Sequence, residues 1–244
     1  MHITPTLRRS RQVLALATTT LLAIGSASCG DDAAPTQPAA AGSSTVPATA
    51  PFGDSGTPDS GTPGPGSDAS ALTADEIAGL EWIREEEQLA HDVYVALGDL
   101  WGLRIFENIA SSETSHIDAV SDLLDRYGID DPAQGNEPGT FTNPEIQALH
   151  DRLVADGSAS LEAALKVGAV IEELDISDLQ ARAAATDVPG ITTVYNNLER
   201  GSRNHLRAFA SQLESRGVAY EPTELEPSVF DAIVSSETER GHDG

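Results

Sequence analysis

The chain reads as an all-α protein, four long helices in a bundle with one long crossover connection between the second and third. Three features carry that expectation. Apolar residues recur three and four apart through the body of the chain, each run is bracketed by residues that start and stop helices, and no stretch alternates with the period of two that a strand needs.

The first long helix is expected to begin after Thr73, which has Glu76 three residues on in a reciprocal capping pattern, and to run to about residue 100, before Trp101 and Gly102. The second covers 104–127, with Gly128 as its stop. Residues 130–142 carry Pro132, Gly135, Pro138 and Gly139 and read as loop. A short amphipathic helix, about 144–155, ends at Gly157. Ser160 then caps the third long helix, which holds Leu161, Leu165, Gly168, Glu172, Asp175 and Leu179. Pro189 suits the first turn of the fourth, expected to reach about residue 216 before Gly217. Residues 72–220 thus form one domain of about 150 residues, enough for a single substantial core. The remaining 221–244 read as a tail with a short helix near 228–235 and a frayed end.

Ahead of the domain, Arg8, Arg9 and Arg11 precede an apolar run from Val13 to Ile24 and a small-residue site ending at Cys29, the pattern of a secretory signal peptide over 1–29. Cys29 is the only cysteine, so no disulfide forms within the chain, and its setting resembles the lipidated cysteine of bacterial lipoproteins. Ser26 stands where those proteins usually carry Leu, which leaves ordinary secretion or retention of the leader open beside lipidation. Residues 30–71 are rich in Ala, Gly, Ser, Thr, Pro and Asp, with no Lys or Arg, and read as a disordered tether. The chain is thereby expected to be exported and held to the cell envelope through a lipid on Cys29. Whole-chain net charge is −25; without the leader's three basic residues, 11 minus 39 leaves −28. Nucleic acid and anionic lipid are poor partners for such a body, whereas cations are attracted to it.

Polar residues interrupt the apolar stripes at a few places. In the first helix Glu87 is the one acid on the face of Leu80, Ile83, Ala90, Tyr94 and Leu97, while its neighbours Glu85 and Glu86 read as solvated. In the second, Glu113 and His116 lie one turn apart on the face of Ile105, Phe106, Ile109, Ile117, Val120 and Leu124. In the third, Glu172 and Asp175 fall on the stripe above Gly168, with Glu173 as the neighbouring alternative; in the fourth, His205 shares a face with Leu198, Ser202, Phe209 and Leu213. A buried carboxylate without a partner is costly, and a metal ion satisfies acids and imidazoles together. Glu87, Glu113, His116, Glu172, Asp175 and His205 are therefore the candidate ligands. Oxygen donors with two imidazoles and no thiolate favour iron, with manganese the alternative, over a structural zinc site. His91 sits on a neighbouring position and reads as a half-exposed helix histidine, His150 and His242 read as surface residues, Tyr94 and Tyr195 are candidates for bonding ligand carboxylates, and Arg200, Arg203 and Arg207 read as outer-face ion pairs.

The strings EEEQLAHDVY, FENIASSETSH, VGAVIEELDI and GSRNHLRAF resemble an uncharacterised ferritin-like family, a domain of unknown function related to the rubrerythrin and ferritin superfamily. The resemblance covers about 72–220. It implies a ferritin-like four-helix bundle with a di-iron type carboxylate centre and an oxidoreductase activity toward oxygen or peroxide. Carried over residue by residue, it matches Glu87 on the first helix, Glu113 and His116 on the second, Glu172 and Asp175 on the third, and His205 on the fourth. One position departs: the fourth helix of that superfamily carries Glu-x-x-His, and here Ser202 replaces the Glu. The departure bears on a second metal position and leaves a competing expectation open, a non-catalytic helical module of the envelope with a vestigial site.

Overall fold

A computed structural model describes residues 72–240; the leader, Cys29, the tether and His242 lie outside the described residues. All of the regular structure there is helical: α1 (Ala74–Trp101), α2 (Arg104–Tyr127), α3 (Pro144–Gly157), α4 (Leu161–Ala183), α5 (Pro189–Ser215) and α6 (Pro227–Val234). None of these helices is long and apolar enough to cross a membrane.

The helix ends follow from local chemistry. Thr73 and Glu76 cap α1 reciprocally, with Glu76 N donating to Thr73 Oγ1 at 3.2 Å and Thr73 N donating to Glu76 Oε2 at 2.7 Å. Gly102 and Gly128 stop α1 and α2 at φ of 65° and 67°, a backbone that glycine adopts at little cost. Asn143 and Ser160 accept amide hydrogen bonds at the starts of α3 and α4. At the far end of α1, Trp101 is helical rather than terminal, because its indole Nε1 donates to Gly157 O at 3.0 Å and ties α1 to the end of α3.

Helix α1 packs along α2, and α4 along α5; the pairs meet through α1 against α4 and α2 against α5. Paired contacts fix direction. Tyr94 reaches Gly168 while Gly79 faces Arg182, so α1 and α4 are antiparallel. Ser112 meets His205 while His116 meets Gly201, so α2 and α5 are antiparallel as well. Two apolar clusters fill the interior, one around Tyr94, Phe106, Leu165 and Phe209, the other around Leu80, Ile83, Leu124, Leu179 and Leu198. Gly168 is needed in the first, since a Cβ there would lie 2.4 Å from the Phe209 ring.

Buried acids anchor the outer segments. Glu85, expected in solvent, is 3% exposed because its carboxylate accepts the amides of Thr142 at 2.5 Å and Asn143 at 3.1 Å from the crossover. Asp92 accepts Gly139 N at 2.7 Å, and Arg84 meets Asp131 at 3.1 Å. Glu173 accepts the Tyr220 hydroxyl and the amides of Thr223, Glu224 and Leu225. The segment past residue 220, expected as a tail, is therefore held against the body: α6 packs on α5, and Glu239 takes charge-assisted hydrogen bonds from Arg203 and Arg207. Arg200 differs from the expected ion pair and donates to Asn197 instead. His150, expected at the surface, is tucked beside Phe141 with ring centroids 5.2 Å apart.

Candidate metal centre

A polar layer lies between the two apolar clusters. Glu87 follows Ile83 by one turn on α1, Glu113 follows Ile109 on α2, Glu172 precedes Ile176 on α4, and His205 lies between Leu198 and Phe209 on α5. Helical phase aims all four faces inward, as the stripes require. The three glutamates are at most 1% exposed, and the side chains of His116 and His205 keep 12% and 11%.

Glu113 is the hub. Its Oε2 lies 2.7 Å from His116 Nδ1 and its Oε1 lies 2.9 Å from His205 Nδ1. His116 Nδ1 is also 3.1 Å from Glu87 Oε2, and His205 Nδ1 is 3.4 Å from Glu172 Oε2. The two rings stack with centroids 5.6 Å apart. Two triads result, Glu87 with Glu113 and His116, and Glu113 with Glu172 and His205; in each, three ligand atoms lie within 4.8 Å of one another.

Outside the triads, neighbouring groups hold the candidate ligands in place. Tyr94, fully buried among the core aromatics, also donates its Oη to Glu172 Oε1 at 2.5 Å. Tyr195 does not share that role; its hydroxyl faces Gly79 beside Arg182. His205 Nε2 lies 3.0 Å from Ser112 Oγ, so its outer nitrogen has a partner. His116 packs its ring on Gly201, where a Cβ would approach Nε2 to 2.5 Å. Ser202 is buried and turns its hydroxyl back to Leu198 O at 3.2 Å, contributing nothing to the layer. His91 stays outside, 2.8 Å from Asp92. Asp175 is 1% exposed yet belongs to neither triad.

Electrostatics sharpen the arrangement. Burial raises Glu87 to about 7 against the pull of His116. Burial would raise Glu113 too, but His116 and His205 outweigh it and hold this carboxyl well below the usual range. For His205, burial opposes the charged ring and is outweighed by Glu172 and Glu113, which lift it to about 10; His116 is lifted in the same way by Glu113 and Glu87. Burial raises Glu172 against His205, and burial together with Glu87 and Glu86 raises Asp175 well above an ordinary aspartate.

The donor set suits a hard or borderline cation. Both oxygens of Glu113, Glu172 Oε2 and His205 Nδ1 are buried without an aligned hydrogen bond, although they approach one another closely. Within each triad a cation would satisfy such atoms together. Three carboxylates and two imidazoles with no sulfur fit iron or manganese.

Sequence reasoning passed over Ser112 and Gly201 and read Glu86 as solvated, whereas it is 3% exposed. A glycine inside a helix hints at a close approach, so Gly201 was open to detection. Ser112 and Glu86 lie beside ligands and carry no periodicity of their own.

Similar proteins bear on the whole fold. The chain is 47% identical over 170 residues to the uncharacterized protein MJ0754 of Methanocaldococcus jannaschii, covering 70% of this chain and 92% of that one. The crystal structure of hypothetical protein MJ0754, from Methanococcus jannaschii DSM 2661, superposes with a TM-score of 0.68 at 46% identity, over 69% of this chain and 96% of the other. The sequence pattern of the uncharacterized protein domain DUF2202 matches residues 76–237, and the chain belongs to that family.

Proposed function

We propose that the chain is a ferritin-like metalloprotein whose four long helices, α1, α2, α4 and α5, hold one or two iron ions, or manganese, through Glu87, Glu113, His116, Glu172 and His205. The observation that carries this reading is Glu113, whose two oxygens each face an imidazole Nδ1 from a different helix at 2.7 and 2.9 Å without an aligned hydrogen bond. Bound iron would supply one-electron chemistry toward oxygen or peroxide. The chain's own residues would do the rest: Glu113 joins the two triads, Tyr94 orients Glu172, Ser112 orients His205, and the flanking apolar clusters limit water. Export and attachment to the envelope through Cys29 belong to the same proposal and rest on the leader pattern.

Ser202 favours a second reading, a helical envelope module with a vestigial site, because the hydroxyl turns away to Leu198 O. Metal analysis after purification with iron separates the two. Less than about a tenth of an ion per chain, of iron or any other transition metal, counts against a working site. With metal at a hundredfold excess over its Kd, the fold gains about 2.7 kcal/mol, and Glu113→Ala removes that gain. A vestigial site shows no metal-dependent rise in either protein.

A further inference from the structure

A second set of acids lies between the centre and the surface. Asp175 is one turn along α4 from Glu172, is 1% exposed, and has no hydrogen-bond partner on either oxygen. Its carboxylate feels those of Glu87, Glu86, Glu172 and Glu113. Glu86 on α1 is 3% exposed and its Oε2 has no hydrogen bond; burial, Asp178 and Glu87 disfavour its charge, and Arg182 favours it. Asp178, a further turn along α4, has a side chain 35% exposed and lines a cavity of about 330 Å³ with Asp75, Glu76, Arg182 and Tyr195.

Asp175, buried with no hydrogen bond on either oxygen, calls for a cation, and Glu86 shares Arg182 with Asp178. They do not form a third resting place for one: among the described residues the groups with three ligand atoms within 4.8 Å of each other are the two triads, and neither contains Asp175 or Glu86. Spaced carboxylates suit passage better than retention. On the opposite side of the centre the two imidazoles stand between the glutamates and solvent, their side chains 12% and 11% exposed. The outer edge of the His116 ring packs on Gly201 and His205 Nε2 lies 3.0 Å from Ser112 Oγ, so that side presents imidazoles rather than carboxylates.

We propose that the cavity at Asp178 admits a divalent transition-metal ion and that Glu86 and Asp175 hand it inward to Glu87, Glu113 and Glu172. Arg182, 3.8 Å from Asp178 and 5.5 Å above the Trp82 ring, is the positive charge an arriving ion displaces from Asp178. The inference rests on the reading that the two triads hold metal.

Its test uses the metal-free full chain mixed with Co²⁺ in a stopped-flow instrument, with cobalt absorbance followed in time and bound cobalt counted at equilibrium. Asp175→Asn and Glu86→Gln are expected to leave the equilibrium count unchanged and to slow loading by about tenfold, the scale on which electrostatic guidance alters rates. Asp178→Asn, at the exposed mouth, is expected to slow loading as well and keeps the test open should an interior variant fail to fold. Full stoichiometry at an unchanged rate in the folded variants overturns the route. Loss of bound cobalt in Asp175→Asn overturns it too, because Asp175 is then a resident ligand. Glu113→Ala is the control: it should abolish binding at any rate, and a wild-type chain that takes up no cobalt sinks the metal reading itself.

Discussion

His205 shows how one residue ties stability and binding to pH with opposite signs. Its folded value of about 10 lies above the ordinary histidine value of 6.5. A group raised on folding adds stability that is fully present below the unfolded value and is lost as pH rises through the folded one. The metal-free fold should therefore weaken between pH 6.5 and about 10 as far as this residue decides the matter. Metal binding needs the same ring neutral, so over that window each displaced proton makes apparent affinity rise about tenfold per pH unit. Calorimetric titration at two pH values, in buffers of different ionisation enthalpy, reads both the affinity and the proton count; an affinity that falls with pH would contradict the ligand role.

Gly201 gives a second test at this scale. Its absent Cβ makes room for the His116 ring, 2.5 Å from where that atom would sit. Gly201→Ala should displace the ring and weaken metal binding at the triad of Glu87, Glu113 and His116, while helix content holds because Ala favours helix more than Gly. Circular dichroism with a metal titration reads both outcomes.

Among the helices, legibility in the sequence depended on how far each partner lies along the chain. The long helices follow from caps and stripes that are local, and Glu113, His116 and His205 stood out because each interrupts an apolar face. Glu85 and Glu173 did not, since their partners are backbone amides 57 and 50 residues away and no periodicity records that pairing. The short helix after residue 220 was legible and stands as α6, but its docking was not: besides Phe230 and Ile233 the segment is held through Glu173 and through Arg203 and Arg207, partners far away along the chain. Glu239 makes this attachment testable. The guanidinium of Arg203, ahead of a smaller effect of burial and the help of Arg207, lowers Glu239 to about 2. A depressed carboxylate lends stability above its unfolded value of 4.5 that is lost as pH falls through about 2. Glu239→Gln should expose 221–240 to limited proteolysis at neutral pH while the body stays intact, and wild-type protein should approach the same behaviour on acidification.

At the scale of the molecule, the interior is two apolar cores with a charged layer between them. That division costs stability wherever a buried acid lacks a partner, and Asp175 is such an acid. An interior of this kind persists more readily if some ligand offsets the cost. The acidic surface, at net −25 for the whole chain, suits a cation as that ligand and disfavours polyanions.

Glu173 follows Glu172 directly in sequence, and its carboxylate receives the amides of Thr223, Glu224 and Leu225. Any stiffening of α4 around Glu172 is thus transmitted through one peptide bond to three backbone protons some fifty positions downstream. Deuterium uptake at 223–225 should slow when metal is added and stay unchanged in Glu113→Ala, as tracked by peptide mass spectrometry. The C-terminal strap would then serve as a natural sensor of occupancy, reporting from the surface on glutamates at most 1% exposed.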